Sequence, residues 1–430
     1  MATDQAVEEQ LQAEHFTEVP DAAAQMELFA DINALSAEDV VARIVEYAVD
    51  RGASDIFLSS GVDEVLVSMR RLGVVEHIGA LSADLGRRAL SYLRTVTQVK
   101  LDERRRPQDG RWRFPSANQR QLDLRLNTIP TLHGESIALR LLVRDSHLLK
   151  LESLGFEGPQ LNTVRNLLSS TGGLILVTGP TGSGKTTALY AFLHALHDGK
   201  RKIHTLEDPI EYAVRGLHQT QVQETYGADF HEMLRGVVRQ SPDVIMIGEV
   251  RDAQTAETAV RAASSGVLVL ASMHATRATS AIQSLVSRGV SPYFLASSLR
   301  AVLCQRLIRT LSPNARLKLD MSHAPQMFAD VAEWLQGDEG KFVYAVRPGV
   351  KPSEAYSGRT GIFEILTMTK KLRQSLTTGD SADEMDGKIL EEEMFDFHRV
   401  ALLKAAKGIT TFDELQRVVP ILDAPLGFAE

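Results

Sequence analysis

One glycine-rich segment constrains the fold of this chain more than any other. Residues 179–186 read Gly-Pro-Thr-Gly-Ser-Gly-Lys-Thr, which matches the G-x-x-x-x-G-K-[ST] pattern of a phosphate-binding loop. An apolar run, residues 174–178, precedes the segment, and apolar residues follow it at helical spacing. The pattern therefore predicts a strand, a tight loop and a helix in succession, the start of a parallel α/β sheet.

The composition of this loop favours a nucleoside triphosphate as its ligand. Its glycines let backbone N–H groups turn inward around phosphates, and the following helix contributes the positive end of its dipole. Lys185 supplies a cation and Thr186 a hydroxyl for Mg²⁺. We expect ATP and Mg²⁺ to bind here. The predicted nucleotide contacts are Gly179, Pro180, Thr181, Gly182, Ser183, Gly184, Lys185, Thr186 and Thr187.

Acidic residues follow two further apolar strands. Residues 243–248 lead into Glu249, and a predicted strand ending near residue 206 leads into Glu207 and Glu211. Ligands of open parallel sheets bind at the carboxyl ends of the strands. Carboxylates there can hold a metal or orient water for phosphoryl transfer. By spacing alone, residues 207–211 read equally well as a solvated acidic loop.

A histidine ends another apolar strand at the same predicted edge. Residues 267–273 are almost entirely apolar and precede His274. A single histidine in such a place is usually structural. Its position beside the phosphate-binding loop makes it a candidate site residue.

Taken together, these blocks resemble the secretion ATPase superfamily. Residues 179–187, 207–211, 243–249 and 273–276 are similar in order and spacing to its Walker A motif, Asp box, Walker B motif and His box. Residues 51–56, 107–111 and 134–136 are similar to its N-terminal domain, so the resemblance spans most of the chain. The chain looks most like the assembly motors of type II secretion and type IV pilus machines.

The resemblance implies roles for individual residues. Glu211 would position or deprotonate water, with help from Glu207. Glu249 would support Mg²⁺ together with Thr186, partly through water, and His274 would contact the terminal phosphate. In the N-terminal domain, Arg125 and Arg140 occupy the places of arginine fingers that close over the nucleotide.

The pattern along the chain predicts an α/β protein with several domains. We expect an acidic leader (1–33), an N-terminal α/β domain (34–148), a P-loop core (149–311) and a mostly helical C-terminal appendage (312–430). The resemblance implies that the N-terminal domain is PAS-like and the core RecA-like. It also implies a homohexamer that works on an inner-membrane platform protein.

The C-terminal region points to assembly and secretion members of the family but departs from them in one respect. Residues 357–366 and 408–415 resemble the corresponding region of those ATPases. Such members commonly bind zinc through cysteines between these blocks and the core. Residues 312–357 contain no cysteine and a single histidine, His323, so we expect no zinc there.

Composition limits the possible partners and location. The formal charge of −8 gives no basic field for a phosphate backbone, so no nucleic-acid partner is expected. No Lys or Arg occurs before Arg43, and no apolar run is long enough to span a membrane. We therefore expect a cytoplasmic protein, attached peripherally to the inner membrane through partners.

Other functions remain open at this point. A pilus retraction or conjugative traffic ATPase would carry the same core motifs. A nucleotide-binding scaffold without turnover is a second possibility, which phosphate release would distinguish. A DNA translocase is a third, and DNA-stimulated turnover would favour it.

Overall fold

The computed structural model of the protein describes residues 31–115, 121–142, 150–222, 229–390 and 395–419. The predicted acidic leader lies outside these residues except for its last three positions. The predicted boundary near residue 148 also lies outside them. In the ranges that are described, no helix has the length and apolar character needed to cross a bilayer.

The chain divides into two compact units. The N-terminal unit comprises Met1–Arg144 and Gly349–Ala355, and the P-loop unit comprises Asp145–Pro348 and Tyr356–Glu430. The sequence interpretation expected residues 312–430 to form a separate, mostly helical appendage. In the structure, residues 312–348 and 356–430 group with the P-loop unit and residues 349–355 with the N-terminal unit. A strand at residues 356–367 pairs with a core strand.

The N-terminal unit is a six-stranded antiparallel sheet with helices on one face. Helix α1 begins after Ser36, whose Oγ caps it by accepting a hydrogen bond from the Asp39 amide at 3.1 Å. The strands are ordered β3-β2-β1-β6-β5-β4. The elements are the 3₁₀ turn Ile32–Ala34, α1 (Ala37–Asp50), β1 (Ala53–Ser60), β2 (Glu64–Arg71), β3 (Val74–Ser82), α2 (Ala83–Val96), β4 (Gln108–Pro115), β5 (Gln121–Thr131), β6 (Gly134–Leu142) and a single α-helical turn, Pro352–Ala355.

Apolar and polar side chains alternate along these strands, which explains why the helices pack on one face of the sheet. Ile56 and Leu58 of β1 are buried together with Val40 and Ile44 of α1 in one apolar cluster. Successive strand residues point to opposite faces of a sheet. The other face therefore carries the polar residues of each strand.

The P-loop unit begins with a parallel α/β sheet. Its first part contains the 3₁₀ turn Leu151–Ser153, α3 (Gln160–Leu168), β7 (Gly173–Thr178), α4 (Lys185–Leu196), β8 (Ile203–Glu207), β9 (His218–Gln221), α5 (Phe230–Val238), β10 (Val244–Ile247), α6 (Ala253–Ser264), β11 (Leu268–Met273), α7 (Ala278–Ser287), α8 (Pro292–Ser298) and β12 (Leu299–Leu311). The strands predicted before the loop, before Glu249 and before His274 are thus β7, β10 and β11.

The remainder of this unit combines strands and helices. It contains the 3₁₀ helices Pro313–Ala315 and Pro325–Trp334, β13 (Arg316–Asp320), β14 (Phe342–Val346), β15 (Tyr356–Thr367), α9 (Lys370–Thr378), α10 (Ala382–Leu390), α11 (Phe397–Ala406) and α12 (Phe412–Val418). Strand β15 pairs antiparallel with β12 and closes one edge of the main sheet.

The main sheet has seven strands in the order β15-β12-β7-β11-β10-β8-β9. The pairs from β12 to β9 are parallel. Leu174 and Leu176 of β7 join one apolar cluster, and Ile175 and Val177 join another. Helices cover both faces, so the carboxyl ends of β7, β8, β10 and β11 form one edge that is free to carry a site.

An aromatic and aliphatic cluster fastens residues 312–348 to the core. Phe328 and Val343 are buried in a cluster that includes Cys304 and Ile308 of β12, and Trp334 packs against it. Cys304 is itself a buried free thiol, as its apolar surroundings predict.

We expect Phe328→Ala to destabilise the P-loop unit by about 3–5 kcal/mol, because it leaves a cavity in this cluster. Urea unfolding followed by tryptophan fluorescence would measure the decrease in the free energy of unfolding, since Trp334 borders the same cluster. Phe294→Ala is the matched control: Phe294 is 48% exposed, so its loss should cost below about 0.5 kcal/mol. Equal unfolding midpoints for the two variants would contradict the assigned packing.

Candidate active site

The predicted phosphate-binding loop lies at the carboxyl edge of the main sheet. It leaves β7 after Thr178 and enters α4 at Lys185. Gly184, the residue before the helix, has φ 88°, a conformation that favours glycine. A Cβ on Gly179 would collide with the carbonyl oxygen of Gln305. The glycines are therefore required by backbone shape and by close packing.

Lys185 lies folded over its own loop. Its Nζ donates to the carbonyl oxygens of Gly179 at 2.9 Å and Pro180 at 3.0 Å, and lies 3.5 Å from His274 Nδ1. Burial lowers the pKa of Lys185, and the nearby Glu249 carboxylate opposes that shift. The ammonium is thus held at the mouth of the loop beside an acid and a histidine.

Glu249 and His274 meet because their strands are neighbours. Strands β10 and β11 pair in parallel and end at the same edge. His274 Nε2 lies 3.1 Å from Glu249 Oε1. Arg251 Nε donates to Glu249 Oε2 at 2.8 Å, and its Nη1 lies 3.7 Å from Asp208. Lys185, His274, Glu249 and Arg251 form a continuous polar chain, which we call the edge cluster.

The residues present fit a phosphate and a hard divalent cation. Ser183 Oγ is buried next to Gly179 without a hydrogen-bond partner among the described residues, which is the state of a group that awaits a ligand. Thr186 is exposed at the start of α4. Its hydroxyl and the Glu249 carboxylate are the oxygen ligands that Mg²⁺ prefers. The other predicted loop contacts that face solvent are Pro180, Thr181 and Gly182.

The two glutamates of the 207–211 segment lie in different surroundings in the structure. Glu211 is half-buried on the loop that leaves β8. Glu207 is buried, and its carboxylate accepts hydrogen bonds from Tyr190, Thr205 and Gln219. The structure therefore does not place Glu207 in the edge cluster. Glu207 is the last residue of β8, a strand whose residues are all buried.

The two predicted arginine fingers lie side by side in the N-terminal unit. The strand register places Arg111, Arg125, Arg140, Asp55 and Arg70 in one row across the polar face of the sheet. Arg140 Nε donates to Asp55 Oδ1 at 3.1 Å. Both candidates thus share one face, and their action on a nucleotide stays a prediction.

Sequence reasoning missed three residues that the structure brings to the site region. Arg251 lies two positions after Glu249 and ties it to Asp208. Tyr190 and Gln219 hold the loop that carries Glu211. A tyrosine within the apolar run 188–193 was the one local signal for Tyr190, and Gln219 had none.

Comparison with known proteins places this site in a family context. The family described as Type II/IV secretion system protein matches residues 32–417. The chain is 37% identical over 382 residues to the Type II secretion system protein E of Xanthomonas campestris pv. campestris, covering 87% of this chain and 66% of that protein. It is 36% identical to the Type II secretion system ATPase E of Vibrio cholerae serotype O1, covering 86% and 73%.

A pilus protein is similar to nearly the same extent. The Type IV pilus assembly ATPase PilB of Pseudomonas aeruginosa is 33% identical over 372 residues, covering 86% of this chain and 65% of that protein. The chain thus spans about two thirds of the length of these relatives.

Solved structures share the fold at lower identity. The ATPase DotB of Legionella pneumophila superposes with a TM-score of 0.65 at 19% identity, over 89% of this chain and 95% of that one. The pilus retraction motor PilT with bound ADP gives 0.58 at 22%, over 87% and 96%.

Proposed function

The chain belongs to the Type II/IV secretion system protein family, and from that membership we propose that it is an ATP-hydrolysing motor for assembly of a type II secretion pseudopilus or a type IV pilus. The observation that carries the proposal is the edge cluster, which sets Lys185, Glu249 and His274 beside the phosphate-binding loop. The family relatives named as secretion and pilus-assembly ATPases support it.

The residues divide the work of phosphoryl transfer among themselves. The loop amides and Lys185 bind the phosphates and neutralise their charge. Thr186 and Glu249 would hold Mg²⁺, which supplies further charge neutralisation at the phosphate oxygens. Glu211 orients the attacking water. His274, between Lys185 and Glu249, contacts the terminal phosphate, and Arg125 and Arg140 stabilise the charge that develops on it.

We base the oligomeric state and the location of the protein on the same family membership. We propose that the protein acts as a homohexamer on an inner-membrane platform protein, at the cytoplasmic side, without nucleic acid. We also propose that residues 312–357 fold without zinc, since they contain no cysteine and apolar packing around Phe328 attaches them to β12.

Phosphate release from ATP tests the proposal directly. We expect the purified chain to release phosphate with Mg²⁺ present and to stop when EDTA removes the metal, because the transferred group requires charge neutralisation. Addition of DNA should leave the rate unchanged. Tight nucleotide binding without phosphate release would contradict the proposed motor function and favour a nucleotide-binding scaffold.

A further inference from the structure

The loop that carries Glu211 is fastened from beneath by a buried polar network. Residues 208–217 connect β8 to β9. Gln219 of β9 holds this loop with both ends of its amide: Oε1 accepts from the Val214 amide at 2.6 Å, and Nε2 donates to the Tyr212 carbonyl at 3.1 Å. These two attachments lie one and three residues after Glu211.

Tyr190 holds the same loop from the phosphate-binding helix. Its hydroxyl donates to Glu207 Oε2 at 2.5 Å and lies 3.3 Å from the Tyr212 carbonyl. The rings of Tyr190 and Tyr212 lie 4.0 Å apart at an angle of 35°. Burial, followed by the Glu207 carboxylate, raises the pKa of Tyr190 far above its ordinary value, so this hydroxyl keeps its proton and remains a donor.

Glu207 joins the two attachments into one network. Its carboxylate accepts from Tyr190, Gln219 and Thr205, and the tyrosine and the carboxylate are both buried. Hydrogen bonds in such surroundings are costly to break, because water does not replace them. The network therefore fixes the backbone beside Glu211 to α4, the helix that begins at Lys185.

We propose that Tyr190 and Gln219 are positioning residues that hold residues 211–214, and with them the Glu211 carboxylate, in the geometry needed for hydrolysis. This inference rests on the proposed ATPase function. The inference makes Glu207 part of the network that supports the loop, and not a residue that contacts the reacting atoms.

Two variants test the assignment through turnover. Gln219→Ala removes both attachments of the amide, and we expect kcat to fall about tenfold or more while KM for ATP changes less than about threefold, since misplacement of a water-orienting group affects the chemical step and not phosphate binding. Tyr190→Phe keeps the ring contact and loses only the hydroxyl, so its kcat should fall by a smaller factor. The double variant should lose less than the product of the two factors, because both residues act on one loop.

Gln160→Ala is the matched control. Gln160 is a buried glutamine that likewise accepts from a backbone amide, Glu157 at 3.1 Å, and donates to a carbonyl, Phe363 at 2.7 Å. A loss of general stability would affect this variant as much as Gln219→Ala. We expect its kcat to remain near the parental value.

Hydrogen exchange separates this inference from the proposed function. Amides of residues 208–217 should exchange faster in Gln219→Ala and Tyr190→Phe than in the parent and in Gln160→Ala. An active parent with unchanged kcat in Gln219→Ala, or an equal fall in Gln160→Ala, overturns the positioning role alone. A parent without turnover overturns the proposed function. In that case, unchanged amide exchange of residues 208–217 in Gln219→Ala and Tyr190→Phe would also overturn the attachment of the loop by these two residues.

Discussion

Lys185→Ala is expected to lower the affinity for ATP by about 100-fold, or about 2.8 kcal/mol, and to reduce turnover by about 10³-fold. The reason is local: the Lys185 ammonium lies over the Gly179 and Pro180 carbonyls and beside His274, at the mouth of the loop. Its removal takes away the cation that faces the phosphates. Fluorescent nucleotide binding and phosphate release measure the two effects.

The control for this variant is a lysine of the same unit with no part in the site. Lys341 is exposed and pairs with Asp338 at 2.8 Å, so Lys341→Ala removes the same charge from a solvated position. We expect parental affinity and turnover for it. Circular dichroism should be unchanged in both variants, because neither side chain belongs to an apolar cluster. Parental ATP affinity in Lys185→Ala would refute the assignment of the loop.

Glu249→Gln is expected to retain ATP binding within about threefold and to lose turnover by about 10³-fold. Glutamine has nearly the same shape, yet it lacks the negative charge that would support Mg²⁺. In the parent, one carboxylate oxygen accepts a hydrogen bond from Arg251 and the other faces His274. Glutamine puts an amide N–H₂ in the place of one of these oxygens. The binding step depends on the loop, whereas the chemical step depends on the missing anion.

A matched glutamate controls for the loss of charge. Glu257 on α6 is exposed and pairs with Arg261 at 2.5 Å. Glu257→Gln removes the same charge outside the edge cluster and should hydrolyse ATP at the parental rate. Single-turnover phosphate release separates chemistry from product release for each variant. A parental rate in Glu249→Gln would exclude this residue from the reaction.

The sequence determined the parts of this protein that depend on neighbouring residues. The phosphate-binding loop is one contiguous segment, so its glycines, Lys185 and the flanking strand and helix could be predicted together. The cap at Ser36 is equally local, since it joins residues three positions apart. The strands before Glu249 and His274 follow from almost entirely apolar runs, which are typical of buried parallel strands.

Tertiary structure decided the contacts between distant segments. Glu249 meets His274 because β10 and β11 are adjacent in the sheet order. Strand β15 joins β12 across more than forty intervening residues, which adds an antiparallel strand to the main sheet. Glu207 and Glu211 look alike in the sequence, but only the register of β8 with β9 and the packing of α4 place the first in a buried network with Tyr190 and Gln219. Such pairings are set by long-range hydrogen bonding and burial, whose partners are not encoded within a local pattern.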